Sequence, residues 1–173
     1  MLRFRKNVYS QNGEDGIIQE ICQRLDIKYG TFIEFGAWDG IHLSNCRNLV
    51  DQHWSGIFIE SDPQKFKDLQ RNYKNHTDID LIQSLVDHKG PNTLDNLIET
   101  KSSKRSFDLI SIDVDGLDFF IFDAMKKYLP KIIVIEVQSF LSPSQTESIP
   151  LSIAANNVGQ PLSVMVDLAK SKG

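Results

Sequence analysis

Five short apolar runs separated by stretches of helical period constrain this chain more than any other feature. They fall at 32–35, 56–60, 79–85, 107–113 and 131–136; the first is read as uninterrupted and the last is the plainest, while Asp80, Gln83, Ser84, Asp108 and Ser111 interrupt the third and fourth. Unbroken runs suit strands buried on both faces, as in a parallel sheet. Between them, Ile17, Ile21 and Leu25 recur every four residues and predict one apolar helix face. Pro63 is placed to open a helix carrying Phe66, Leu69 and Tyr73, and 91–99 reads as a short helix with Thr93 as its cap. A further helix is expected over 117–127. Strands alternating with helices predict an α/β fold with a doubly wound, Rossmann-like, mostly parallel sheet.

In such a sheet ligands gather beyond the carboxyl ends of the strands. Here those ends carry Glu34, Glu60, the Leu85-Val86-Asp87 turn, Asp113 and Glu136, so four of the five runs finish on a carboxylate. After the first run, Gly36 and Gly40 bracket a short polar turn that leads into a helix-like stretch at 44–50. Glycine lets a backbone bend sharply and approach a ligand, and a helix start adds unpaired N–H donors. A dinucleotide would require Gly-x-Gly-x-x-Gly at this place. Trp38 and Asp39 stand instead where a diphosphate would approach, and like charge repels it. A ligand with a cationic group and a ribose fits better, because Glu60 can accept both ribose hydroxyls.

Composition sets outer bounds. At 173 residues, 40% hydrophobic and 24% charged, the chain is expected to form a single domain over 1–173. A net charge of -4 offers no electrostatic reason to expect nucleic acid as a partner, and the basic cluster at 101–105 reads as a solvated loop. No apolar segment is long enough to span a bilayer and the first residues lead into polar ones, so no membrane partner and a cytoplasmic location are expected. Cys22 and Cys46 read as buried thiols in a reducing compartment. The leader at 8–16 is rich in turn residues, with Ser10, Asn12 or Asp15 placed to cap the first helix. The stretch 139–161 has no firm period, and 161–173 predicts a final helix.

Phe-Ile-Glu-Phe-Gly-Ala-Trp-Asp-Gly-Ile-His-Leu-Ser-Asn resembles the first, cofactor-binding motif of the class I S-adenosylmethionine-dependent methyltransferases, and within them of the FkbM-like group. Ile-Phe-Ile-Glu-Ser-Asp-Pro resembles their second motif, and Asp-Leu-Ile-Ser-Ile-Asp-Val-Asp-Gly-Leu-Asp that of the fourth strand. Tyr-Ser-Gln-Asn-Gly-Glu-Asp-Gly resembles the leader of some bacterial members. The resemblance implies that Glu34, Gly36, Ala37 and Gly40 hold the methionine part of S-adenosylmethionine, with Asp39 nearby, and that Glu60 takes the ribose hydroxyls. Ser61 and the Leu85-Val86 turn would flank the adenine, and Asp113 would lie under the methionine amine or at the transfer centre. Gln11 and Glu14 would reach toward the cofactor carboxylate or roof the site, while His42, Ser44 and Asn45 cap a helix or touch ligand. Family folds finish with a helix and an antiparallel pair of strands; this chain stops at Gly173, so a methyltransferase-type sheet lacking the last two strands is expected.

The activity that the resemblance implies is methyl transfer to a hydroxyl of a sugar or another small-molecule acceptor. In-line displacement needs positioning plus a base for the acceptor's proton. Asp113, Asp115, Asp118, Glu136 and Gln138 are the candidates, with Asp115 first because Asp-x-Asp-Gly places it just past the fourth strand. For Asp118, complementing a helix dipole competes with a catalytic role. Asp113, Asp115 and Glu136 can also ligate a divalent metal through oxygen, although nothing in the spacing requires one. The alternative is a non-catalytic cofactor-binding or partner-docking domain of the same fold, with a second copy covering an open sheet edge as a homo-oligomer. A nucleotide-sugar or nicotinamide enzyme is disfavoured by the missing phosphate-binding glycine.

Overall fold

The apolar runs become strands β1 (Thr31–Phe35), β2 (Ser55–Glu60), β3 (Ile79–Gln83), β4 (Leu109–Ile112) and β5 (Ile132–Ile135) in a computed structural model that describes residues 1–154, 156 and 158–173. They form one parallel sheet in the order β3-β2-β1-β4-β5. Thr31 faces Ser55 and Phe35 faces Ile59, while Gly56 faces Ile79 and Glu60 faces Gln83. The central strand β1 is thus flanked by β2 and β4, and the chain reverses its direction of winding between β1 and β4. That is the switch point at which open α/β sheets place their ligands.

The chain divides into two compact units. The first comprises Met1–Leu85, Ser106–Ser111 and Pro130–Val134 and contains the sheet except for Ile112 and Ile135; the second comprises Val86–Arg105, Ile112–Leu129 and Ile135–Gly173. In the first unit, α1 (Glu14–Arg24), α2 (Arg47–Asp51) and α3 (Pro63–Tyr73) supply Ile18, Cys22, Leu49, Val50, Phe66 and Leu69 to a core shared with Phe32 and Phe58. The Phe32 and Phe58 rings meet edge to face at 5.0 Å, and Phe58 and Tyr73 lie 4.8 Å apart. Gly56 makes this stack possible, since a Cβ there would fall 2.4 Å from the Phe32 ring.

Helix α3 begins as expected. Asp62 accepts hydrogen bonds from Gln64 N–H at 2.7 Å and Lys65 N–H at 3.1 Å, with Pro63 in the first turn. Helix α1 differs from the sequence expectation. Its buried residues are Asp15, Ile18 and Cys22, whereas Ile17 and Ile21 are half-buried and Leu25 is 51% exposed beyond the last turn. The inward face is set by Asp15, whose Oδ2 accepts from Val8, Tyr9 and Ser10 N–H and from the Ser10 hydroxyl at 2.7–2.9 Å. Asp15 therefore does not cap the helix end but pins the leader; Gly13 occupies the N-cap, and the Ser10 hydroxyl accepts from the first-turn N–H of Asp15 at 3.0 Å.

The second unit contains a 3-10 turn at Gly90–Asn92, α4 (Leu94–Lys101), α5 (Asp118–Ala124), α6 (Leu151–Ala154) and α7 (Leu162–Lys172). Thr93 holds the N-cap position of α4, but its side chain makes no capping bond. Leu94, Leu97, Ile98, Ile121, Phe122, Met125, Val164 and Met165 are buried, and Asp95 accepts from the N–H groups of Lys126 at 2.8 Å and Lys127 at 3.1 Å. The aperiodic stretch expected at 139–161 carries α6 and a clip in which the buried Gln160 amide exchanges hydrogen bonds with both backbone groups of Ile149, at 2.8 and 2.7 Å. Among the described residues no helix is long and apolar enough to cross a membrane. Cys22 and Cys46 are buried free thiols, and burial pushes both upward from the ordinary thiol value.

Candidate functional site

The loop between β1 and α2 departs from ordinary backbone at four places. Gly36, Trp38, Gly40 and Leu43 have φ of 73°, 50°, 72° and 57°, all left-handed, a conformation that Trp and Leu adopt at an energetic cost. The surroundings hold it there. Ala37 N–H donates to Ile59 O at 3.2 Å, and Trp38 N–H to Glu60 Oε2 at 2.8 Å. From the end of α3, Asn72 Nδ2 donates to Asp39 O at 2.9 Å and the Tyr73 hydroxyl to Gly40 O at 2.5 Å. The pattern of apolar residues marks Tyr73 only as core and gives no signal for Asn72; their role in gripping the loop emerges from the fold alone.

Three carboxylates converge on this loop, and all are buried: Glu34, Asp39 and Glu60 are 6%, 8% and 5% exposed. Glu34 Oε2 accepts from the Ser44 hydroxyl at 2.6 Å and Cys46 N–H at 3.2 Å, and its Oε1 from Asn45 N–H at 2.9 Å. Burial nevertheless dominates those bonds and pushes Glu34 up to about 7. The same bonds account for the late start of α2 at Arg47, since Ser44 and Asn45 are committed to Glu34. Asn45 Nδ2 also donates to Ser111 Oγ at 3.0 Å and so ties the loop to β4.

Asp39 Oδ1 accepts from Ile41 and His42 N–H, each at 2.9 Å, and Oδ2 lies 2.6 Å from His42 Nδ1. Burial would raise this carboxyl, but the His42 and Ile41 bonds outweigh it and hold Asp39 below its ordinary value. Glu60 Oε1 accepts from Asp62 N–H at 2.7 Å and the Ser61 hydroxyl at 3.4 Å. Among the described residues neither Glu34 nor Glu60 forms an ion pair. Leu85 is 59% exposed; in the leader the Gln11 backbone carbonyl accepts from Asn7 Nδ2, and Glu14 Oε2 accepts from Asn12 N–H.

In the second unit, Val86 is buried while Asp113, Asp115 and Glu136 are exposed, and one oxygen from each of these three lies within 4.8 Å of the others. Asp115 has a left-handed φ of 52° and is followed by Gly116 at 105°. Asp118 fixes that turn: buried, it accepts from Val114 N–H at 3.1 Å and Gly116 N–H at 3.0 Å. Glu136 is raised by burial and then by the neighbouring Asp113, Asp118 and Asp115 charges. The crowding makes Glu136 a stronger base than an isolated surface carboxylate.

Residues 91–157 match the family model described as Methyltransferase FkbM domain. No curated protein matches the chain. Among solved structures, a Galdieria sulphuraria protein described as a sarcosine dimethylglycine methyltransferase aligns with a TM-score of 0.59 and 15% identity, over 92% of this chain and 60% of its own. The Podospora anserina methyltransferase PaMTH1, solved bound to S-adenosylhomocysteine, gives 0.56 and 15%, over 94% and 70%. Precorrin-6y C5,15-methyltransferase of Geobacter metallireducens gives 0.50 and 15%, over 98% and 74%. The chain spans 42%, 49% and 60% of the lengths of three of the structures it matches. At these identities the likeness is one of fold. The chain has a fold shared with solved methyltransferases, and its residues 91–157 match the model of the FkbM methyltransferase domain.

Proposed function

We propose that this chain binds S-adenosylmethionine and transfers its methyl group to a hydroxyl of a sugar or another small metabolite. The observation that carries the reading is the set of buried carboxylates around the glycine loop, of which Glu34 and Glu60 have no cationic partner among the described residues. Such a site repels a diphosphate and favours a ligand that brings its own positive charge. The three carboxylates fit a sulfonium and amine together with a ribose. Gly36, Ala37 and Gly40 would shape the backbone around the methionine part, with Asp39 supplying negative potential and Glu34 adding to it once a bound cation lowers its pKa. Glu60 would accept the ribose hydroxyls, and Ser61, Leu85 and Val86 would border the adenine.

S-adenosylmethionine supplies an activated methyl group on a positively charged sulfur. The chain's own part in the chemistry is orientation and proton removal. Asp115 is the first candidate to take the acceptor hydroxyl's proton, because the Asp118 bonds hold its turn in a left-handed conformation that a free aspartate would leave. The neighbouring Asp113 and Glu136 carboxylates favour uptake of a proton at that place, a role that needs no metal. The hydroxyl acceptor is favoured by the resemblance to the FkbM-like group rather than by any side chain.

Calorimetry with S-adenosylmethionine and S-adenosylhomocysteine tests the cofactor, with saturable heat expected from both. Folded protein that gives no heat with either would overturn the reading. Transfer of labelled methyl across paired hydroxyl and amine acceptors tests the rest, with label expected on the hydroxyl compounds.

A further inference from the structure

The leader resembles a family motif, yet none of its side chains is used by the proposed transfer. It folds back on itself to form a concavity of about 240 Å³ lined by Arg5, Lys6, Asn7, Gln11, Asn12 and Gly13. We propose that this concavity is a binding pocket for a phosphomonoester, with Arg5 and Lys6 as its charged contacts and the Gln11 and Asn12 carboxamides as its polar rim.

The pocket is held by tight packing. Arg5 Nε donates to Asn12 O at 2.8 Å, Lys6 N–H to Gly13 O at 3.3 Å and Gly16 N–H to Lys6 O at 3.1 Å. A Cβ at Gly13 would meet Arg5 Cβ at 2.7 Å, and one at Gly16 would meet Phe4 O at 2.1 Å, so both glycines are needed for the turn to close onto Arg5 and Lys6. Only Nε of the Arg5 guanidinium is engaged, which leaves both Nη groups as donors. Neither Arg5 nor Lys6 forms an ion pair among the described residues.

The acids nearest in sequence are taken up by backbone N–H groups rather than by Arg5 or Lys6. Glu14 Oε2 accepts from Asn12 N–H at 2.7 Å, and Asp15 Oδ2 is taken up by the backbone of Val8, Tyr9 and Ser10. Two consecutive cations that line one concavity without an ion pair among the described residues are therefore a local feature on a chain whose net charge is -4. A carboxylate would satisfy the guanidinium fork and leave the ammonium unmatched. A phosphoryl dianion offers three terminal oxygens and can engage both cations and a carboxamide together.

The inference does not rest on the methyltransferase reading, and its test is separate from cofactor binding. Uniformly 15N-labelled protein is titrated with inorganic phosphate and with glucose 6-phosphate at constant ionic strength, with chloride as the control and the amide signals of Asn12 and Gly13 and the Arg5 Nε signal as readout. Saturable shifts with half-saturation at or below about 1 mM are expected, and Lys6→Gln should weaken binding about tenfold. Glucose 6-phosphate binding at least as tightly as inorganic phosphate identifies a phosphomonoester. Arg5→Lys, which retains the charge but loses the fork, is the second variant and should also weaken binding. Shifts that do not saturate, that chloride reproduces, or that persist at full strength in both folded variants would overturn the proposal.

Discussion

Replacement of Glu34 by Gln should remove a pH dependence that the wild-type fold carries. Unfolded, this carboxyl ionises at its ordinary value of 4.5; folded, it keeps its proton until about 7. Its contribution to stability is therefore fully present below 4.5 and is lost as the pH rises through 7. At about 1.4 kcal/mol per pKa unit the interval corresponds to about 3 kcal/mol, an order-of-magnitude figure for a fully buried group. Gln has nearly the same shape and no charge to desolvate. Its amide oxygen in the Oε1 place can still accept from Asn45 N–H, while its amide nitrogen in the Oε2 place faces the Ser44 hydroxyl, which can rotate to accept, at the loss of the 3.2 Å bond from Cys46 N–H. Urea unfolding of both proteins at intervals from pH 4.5 to 8 gives the difference curve, in which the four histidines and all other common groups cancel. Glu34→Gln should gain on the wild type by about 3 kcal/mol across that range. A difference that stays flat, or that moves in favour of the wild type with rising pH, would refute the claim that Glu34 is desolvated without a compensating cation. The same reasoning links Glu34 to the cofactor: a bound amine or sulfonium nearby should lower its pKa, so binding near pH 6.5 should release a proton, visible as a buffer-dependent enthalpy.

Gly40→Ala should destabilise the fold by about 3 kcal/mol, because the new Cβ would lie 2.5 Å from Tyr73 Cε2 and 2.7 Å from Leu69 Cδ1 at a φ of 72°; thermal unfolding measures it, and an unchanged midpoint would contradict the packing. Asp118→Ala should cost about 2 kcal/mol by leaving two N–H groups of the Asp115 turn without their acceptor, and, with an acceptor in hand, should lower kcat more than it changes cofactor affinity.

The strands were legible because short, largely apolar runs bounded by turn residues have few other ways to escape water, and every run gave a strand, including the third and fourth, which polar residues interrupt. The start of α3 was equally legible, since Asp62 and Pro63 act on their immediate neighbours. The face of α1 was not. A period of four over Ile17, Ile21 and Leu25 counts only apolar side chains, whereas the helix turns a carboxylate, Asp15, inward to collect four donors from the leader. Periodicity cannot register a buried acid whose donors are backbone groups. Thr93 illustrates the converse, since a residue of the right type stands at the cap position without making the bond.

At the candidate site, the glycines and the strand-end acids announced themselves by residue type and spacing. What holds them did not, because Tyr73 and Asn72 act on carbonyls 33 residues away in the chain, and a backbone carbonyl carries no sequence identity. Glu60 joins the two kinds of information. Its place at the end of β2 is readable from the strand, but its hydrogen bond to Trp38 N–H depends on how β1 and β2 align. That bond stabilises a left-handed Trp where the loop would otherwise favour glycine. The carboxylate proposed to receive the ribose thus also fixes the shape of the loop proposed to receive the methionine end. Loss of Glu60 should accordingly weaken both contacts at once, and Glu60→Gln, whose amide oxygen accepts from Trp38 N–H only by turning its amide nitrogen toward Asp62 N–H, should keep the loop's Trp38 bond while weakening the ribose contact and loosening the start of α3.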